Sequence, residues 1–303
     1  MWFKKKQFQI PATGCYCSPL DKRDVLTSEV FPVVKRIPEA CPPPFDLTIL
    51  NQENKPHCVG FSLATLKQEK ELREKVWVPA FDGDWIYYRA KELEGATNPG
   101  TYIRIGLKVL QKFGAKPKDA PDSEAIRYRI GGYARVDELT FEGLKKAIFV
   151  NGALIAGFYV SSSGWQTAYV KAPKPGERTS GHAVVLIGYN KDYLIGQNSW
   201  GMWGDKGLFY VPKDYLPFEA WAVLSDYPTE FLPAPVQLEG WVASEYLKPD
   251  LAVGNRVYPS CRLNLRKEPM GEKIITLDVG QKLLTTGITQ KVGKYNWVKV
   301  RVL

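Results

Sequence analysis

The stretch NQENKPHCVGFS, Asn51 to Ser62, sets a single cysteine, Cys58, just ahead of LATLKQEKEL, a run of strong helix formers. Leu63, Leu66 and Leu72 recur near helical spacing, so a helix is expected to start at or just after Cys58. Unpaired backbone N–H groups and the positive end of the helix dipole gather at such a position. Both favour the thiolate, the form of cysteine that attacks a carbonyl. A lone buried thiol more often only fills space, so the surrounding chain must decide between the two.

Upstream, residues 1–44 carry prolines at 11, 19, 32, 38, 42, 43 and 44 and little periodicity, which describes an extended N-terminal arm. A wrap over apolar surface is favoured for it over an inhibitory segment laid across a cleft. The pair Cys15 and Cys17 is the one metal-like feature. With His57 and His182 the only histidines, ligands for zinc run short, and free or buried thiols are the preferred reading.

Downstream, helices are expected over Asp84–Glu94, capped by Asp84 and stopped by Gly95, over Thr101–Phe113, and from Thr140 to the residue before Gly152. Short apolar or alternating runs follow: 153–160, 182–189, 193–197, 207–211 and 220–225. Helices first and strands second describe an α+β domain with a helical half and an antiparallel, barrel-like half over residues 45–227, with a cleft where they meet. Residues 228–238, PTEFLPAPVQL, form a stiff proline-rich linker. Residues 239–303 alternate with period two between glycine and polar turns, the pattern of a small all-β barrel.

With 303 residues, 45% of them hydrophobic, and nine tryptophans, the chain can bury one large core and a second, smaller one. The formal charge is +9, but Lys and Arg are scattered among acidic residues, which argues against nucleic acid as a partner. The N-terminal MWFKKKQFQIPATG has basic residues without an apolar stretch behind them, so neither a secretory signal nor a membrane anchor is read. Five cysteines, an odd and sparse set, fit a reducing setting, cytoplasmic or virus-particle-associated, rather than classical secretion. No cofactor and no metal is called for.

A cysteine nucleophile needs a base, a group that orients the base, and donors for the oxyanion. His182 lies in SGHAVVLIGYN at the start of an expected strand, beside Gly181, whose small size leaves the ring accessible. Sixteen residues on, Asn198 opens NSWGMWG, where a returning strand would let it bond one ring nitrogen and aim the other at Cys58. Trp200 would cover that bond, and Gln52 would join the Cys58 N–H in an oxyanion hole.

These residues resemble the papain-like cysteine peptidases of the papain and cathepsin branch, over about residues 45–227. The resemblance rests on Gln52 six before Cys58, GFS after it, GHAVVLIGYN around His182 and NSWGMWGDKG from Asn198 to Gly207, in the family's order and near its separations. It implies hydrolysis of peptide bonds in a groove between a helical and a barrel-like lobe, with a protein or peptide as substrate. The chain departs from the family's CGSCW: Lys55 replaces a cysteine that secreted members use in a disulfide, and Pro56, His57 and Val59 alter the surroundings of Cys58. His57 is read as a bystander, because neighbouring residues on a helix point in different directions. The arm is shorter than the family's usual prodomain.

The segment RLNLRKEPMGEKIITLDVGQKLLTTG resembles bacterial SH3-like domains, and NWVKVRV resembles one of their later strands. Their usual closing strand, of the form GWVxxxYL, comes first here, at Gly240 to Leu247, so a circular permutation is expected. That resemblance implies a cell-wall or protein ligand. Two further readings stay open: a cell-wall peptide hydrolase, and a non-catalytic protein that keeps the fold.

Overall fold

The computed structural model describes residues 8–44, 47–74, 78–224, 239–248, 256–277 and 283–302. The chain forms two compact units, Met1–Glu230 and Phe231–Leu303. The proline-rich stretch 228–238 and the N-terminal lysines lie outside the described residues.

Three helices, α1 Cys58–Glu74, α2 Gly83–Glu94 and α3 Ile103–Lys112, pack together on one face of the first unit's sheet, and α4 Phe141–Asn151 packs on the other. The first is buried on nearly all sides, with Leu63, Ala64 and Leu66 sealed from water, and its inward charges are paired one turn apart, Lys67 with Glu71 and Glu69 with Arg73. It crosses α2 where Gly60 meets Gly83. A Cβ on Gly60 would collide with the Gly83 carbonyl and Tyr87, so only glycine lets the two backbones come this close.

The expected cap of α2 is corrected by two residues. Asp82, not Asp84, accepts from the Trp85 N–H, at 3.0 Å, and Asp84 lies in the first turn, bonded elsewhere. Gly95 ends the helix in the left-handed region, φ 65°, as its lack of a Cβ permits. The start of α3 also moves, because Thr101–Tyr102 pairs in parallel with Cys15–Tyr16 of the arm. Thr140 caps α4 by accepting from the Gly143 N–H.

The sheet is six-stranded and antiparallel: β1 Gly132–Arg135, β2 Leu154–Val160, β3 Ser180–Tyr189, β4 Tyr193–Gln197, β5 Leu208–Pro212 and β6 Glu219–Leu224. Its spatial order is β1-β6-β2-β3-β4-β5. The barrel-like lobe expected from sequence is thus an open sheet among the described residues. Its edges are blunted by short bridges instead of closing on each other, Leu26 with Arg135 on β1 and Tyr169 with Tyr210 on β5. Alternation assigns each face its own core. Ile155, Ala183 and Val185 join the core shared with α1 and α3, while Leu154, Ala156, Val184 and Leu186 join the one shared with α4.

The second unit holds β7 Glu239–Ala243, β8 Leu247–Lys248, β9 Arg256–Pro259, β10 Leu263–Arg266, β11 Lys273–Leu277, β12 Leu283–Val292 and β13 Tyr295–Val302. They form one open sheet in the order β8-β9-β12-β13-β7-β10-β11, where a closed barrel was expected. In it β7 is an interior strand, antiparallel to β13 with Val242 opposite Val298. Val242, Leu265, Leu277, Leu283, Val298 and Val300 make a separate small core.

Candidate active site

Cys58 is the first residue of α1, and His182 is the third residue of β3. The two elements are tied together by Ser62, one turn into α1, whose hydroxyl donates to the carbonyl of Ala183, next to His182, at 2.9 Å. Strand β4 returns beside β3, with Gln197 opposite Val185, and delivers Asn198 to the ring of His182. His182 Nε2 lies 2.9 Å from Asn198 Oδ1, and the Ser199 N–H donates to the same oxygen at 2.8 Å. An oxygen in that place accepts from Nε2–H, so a neutral ring carries its lone pair on Nδ1. That nitrogen is buried and has no hydrogen-bond partner. Trp200 stacks on the His182 ring at 4.6 Å, and Trp165 stands edge-on to it at 5.8 Å.

Gln52 sits opposite the Ser199 segment. Its backbone N–H donates to the Ser199 carbonyl at 2.8 Å, and its side-chain Oε1 accepts from the Ser199 hydroxyl at 2.6 Å. With the oxygen so engaged, the Nε2 end faces the loop, donating to Lys55 O at 2.7 Å and to Ala12 O at 2.9 Å. Gly181 lies against the arm as well, since a Cβ there would collide with the Cys15 carbonyl.

The residues singled out from sequence, Gln52, Cys58, Gly181, His182, Asn198 and Trp200, therefore gather around one place. The arm covers it. Phe8 exchanges hydrogen bonds with the Gln166 side chain and stacks on Trp203 at 5.9 Å. The Ala12 N–H donates to Asn54 Oδ1, and Gly14 O accepts from the Thr101 N–H at 2.8 Å. Beyond these, Ser18 gives two hydrogen bonds to the buried carboxylate of Glu219, and Asp24 pairs with Arg104 at 2.7 Å. The arm, expected from sequence to wrap apolar surface, runs over the candidate site itself. Backbone groups make most of these contacts, which leaves no mark in the sequence.

Burial dominates the electrostatics. Both Cys58 and His182 are 0% exposed. Burial pushes the Cys58 thiol up, against backbone hydrogen bonds from Ala183, Gly14 and Val59 that pull it down. Burial lowers His182 to about 4, partly opposed by its bond to Asn198. With the arm in place, the helix-start acidity expected for Cys58 is overridden, and thiol and imidazole are both held neutral at pH 7.

His57, the other histidine, turns away from this cluster: its Nδ1 meets Asp84 Oδ1 at 2.6 Å and its ring stacks on Tyr87 at 3.7 Å. Cys15, Cys17, Cys41, Cys58 and Cys261 are all free. Among the described residues, no group of three or more His, Cys, Asp or Glu is arranged to hold a metal ion, and no helix is long and apolar enough to cross a membrane.

Residues 98–217 match the family model described as papain family cysteine protease. Among solved structures, the chain is similar to xylellain, a cysteine protease from Xylella fastidiosa, at 23% identity and a TM-score of 0.63, over 75% of this chain and all of that one. It is also similar to procathepsin B S9 from Trypanosoma congolense, at 14% identity and 0.55, over 70% of this chain and 85% of that one. Digestive procathepsin L2 from Tenebrio molitor larval midgut matches at 15% and 0.54, over 68% and 76%. No curated protein sequence matches.

Proposed function

We propose that this chain, whose residues 98–217 match the papain family cysteine protease model, is a cysteine endopeptidase working through Cys58, His182 and Asn198. The observation that carries this is the His182–Asn198 hydrogen bond, which leaves a buried, unpartnered Nδ1 beside the backbone that touches the Cys58 thiol. Nδ1 takes the Cys58 proton, and the thiolate attacks the scissile carbonyl. The Gln52 amide and the Cys58 N–H then hold the oxyanion. The imidazolium, held by Asn198, protonates the leaving amine, and the ring next activates the water that frees the acyl group.

In this reading the covered site is a latent form. The arm spends the Gln52 donor on Ala12 and keeps water and substrate from Cys58. Turnover therefore requires the arm to lift.

Residues 239–303 are read as a permuted SH3-like module that takes a cell-wall or protein ligand. Support comes from Glu239–Ala243 lying beside Tyr295–Val302, where a closing strand would lie. A cell-wall peptide hydrolase is the variant of the proposal that this module would favour.

The test is cleavage of a peptide library by the full chain and by Cys58→Ala, together with mapping of a substoichiometric iodoacetamide label. Cleavage lost in the variant, with Cys58 labelled ahead of Cys15, Cys17, Cys41 and Cys261, supports the proposal. Equal cleavage by both proteins would sink it.

A further inference from the structure

The geometry points to Asp84 as a positioning residue that clamps the Gln52–Cys58 loop and thereby holds both proposed oxyanion donors in place. The inference rests on the proteolytic reading above. Asp84 sits in the first turn of α2, and each of its carboxylate oxygens takes one residue of the loop. Oδ2 receives Lys55 Nζ at 2.9 Å, and Oδ1 meets His57 Nδ1 at 2.6 Å. These two partners flank Pro56, whose ring fixes its own φ. One carboxylate thus pins the loop on both sides of its stiffest residue.

Each pinned residue leads to an oxyanion donor. The Lys55 carbonyl accepts from Gln52 Nε2 at 2.7 Å, and the Lys55 N–H donates to the Gln52 carbonyl at 3.2 Å, so a shift of Lys55 turns the Gln52 amide. His57 is bonded to Cys58, whose N–H is the second donor, and its carbonyl accepts from the Phe61 N–H to open α1. The His57 ring is held in turn, stacked on Tyr87 at 3.7 Å with Tyr88 edge-on at 5.3 Å.

The loop needs such a hold. Glu53 has φ 57°, a conformation that costs free energy outside glycine and persists only where its surroundings impose it. No disulfide braces the loop, since every cysteine here is free. An exposed ion pair contributes little, but the His57 side chain is only 8% exposed and the Asp84 side chain 33%. Burial pulls the Asp84 carboxyl up, and the hydrogen bonds from His57 and Lys55 outweigh it and hold the group below the usual carboxylate range, so the clamp stays charged at neutral pH.

The test compares the full chain with Asp84→Asn and Asp84→Glu by hydrogen exchange across residues 51–61, by kcat and KM on a peptide substrate, and by the rate of Cys58 alkylation. Alkylation needs no oxyanion donor. In Asp84→Asn the clamp predicts faster exchange confined to this loop and kcat lower by about 10- to 100-fold, with KM and alkylation changed less than about 3-fold. Asp84→Glu should recover part of kcat. Unchanged exchange overturns the inference, as does raised exchange with unchanged kcat. A parent that neither cleaves peptides nor labels at Cys58 even when Gly14→Val unseats the arm overturns the proteolytic reading instead, and exchange alone then decides whether Asp84 holds the loop. Lys55→Gln, read by the same measurements, decides the matter if the Asp84 variants fail to fold.

Discussion

The side-chain amide of Gln52 donates to the carbonyl oxygen of Ala12 at 2.9 Å, so the group proposed to stabilise an oxyanion is occupied by the protein's own arm. Two residues further, the Gly14 carbonyl accepts from Thr101 on the helical side, while Cys15 presses its carbonyl against Gly181 on the sheet side. The arm therefore touches both halves of the domain at the place where Cys58 and His182 are buried. Sealed from water, the pair gains nothing from ionising, and the neutral pair follows from that covering.

A side chain at Gly14 should unseat the arm. A Cβ there would meet the Pro56 carbonyl oxygen, the Pro56 ring and the Gly100 backbone, none of which is the free end of a flexible side chain. Gly14→Val is expected to alkylate faster at Cys58 than the parent, by about tenfold for each 1.4 kcal/mol that the clash takes from arm docking. Iodoacetamide rates followed by mass spectrometry check this. A slower or equal rate would mean that the arm does not limit access to the thiol.

With the arm displaced, the donors can be tested singly. Gln52→Ala in the Gly14→Val background should lower kcat by about 100- to 1000-fold, the loss typical of one oxyanion donor. Ser199→Ala should cost less, because it removes only the 2.6 Å bond that decides which end of the Gln52 amide faces the loop. Steady-state rates on one peptide substrate rank the three proteins. A Ser199 variant slower than the Gln52 variant would contradict this division of roles.

The candidate site was largely legible in the sequence because its parts are set by local register. Cys58 follows from a helix start, and Asn198 reaches His182 because the strand carrying the one pairs with the strand carrying the other. What was not legible depends on contacts distant in the chain. Asp82 precedes the helix and Asp84 lies in its first turn; what tells them apart is that Asp84 is taken by Lys55 and His57, 29 and 27 residues away. The arm's path is set by the backbone of Ala12 and Gly14, which carries no side-chain signal. Strand β1, four residues long, is too short for its alternation to stand out and takes its place from pairing with β6. Sheet closure, too, depends on what covers the edges and not on the period of the strands.

Burial of neutral His182 predicts an acid-sensitive fold. Its folded pKa of about 4 lies below the ordinary 6.5, so the unfolded chain binds the proton first as pH falls. The stability this group contributes is complete above about pH 6.5 and lost on the way down to about pH 4, at most about 3 kcal/mol. His182→Gln, which cannot titrate, should remove that portion of the pH dependence while leaving the carboxylate portion. Urea midpoints at pH 7 and pH 4.5 for both proteins test it, and parallel slopes would rule out a buried neutral histidine.

Separate cores predict that the two units fail separately. Val242 is fully buried in the small core of the second unit, on an interior strand paired with β13 on one side and β10 on the other. An unpaired carboxylate there has no partner in a core of leucines and valines, and its burial should cost several kcal/mol, enough to unfold a small sheet. Val242→Asp is therefore expected to abolish protection of the amides of 256–277 and 283–302 from hydrogen exchange. Protection of α1 and β3, whose cores are built from first-unit residues among the described residues, should persist, as should the labelling rate of Cys58. Loss of protection in α1 would show that the first unit depends on the second.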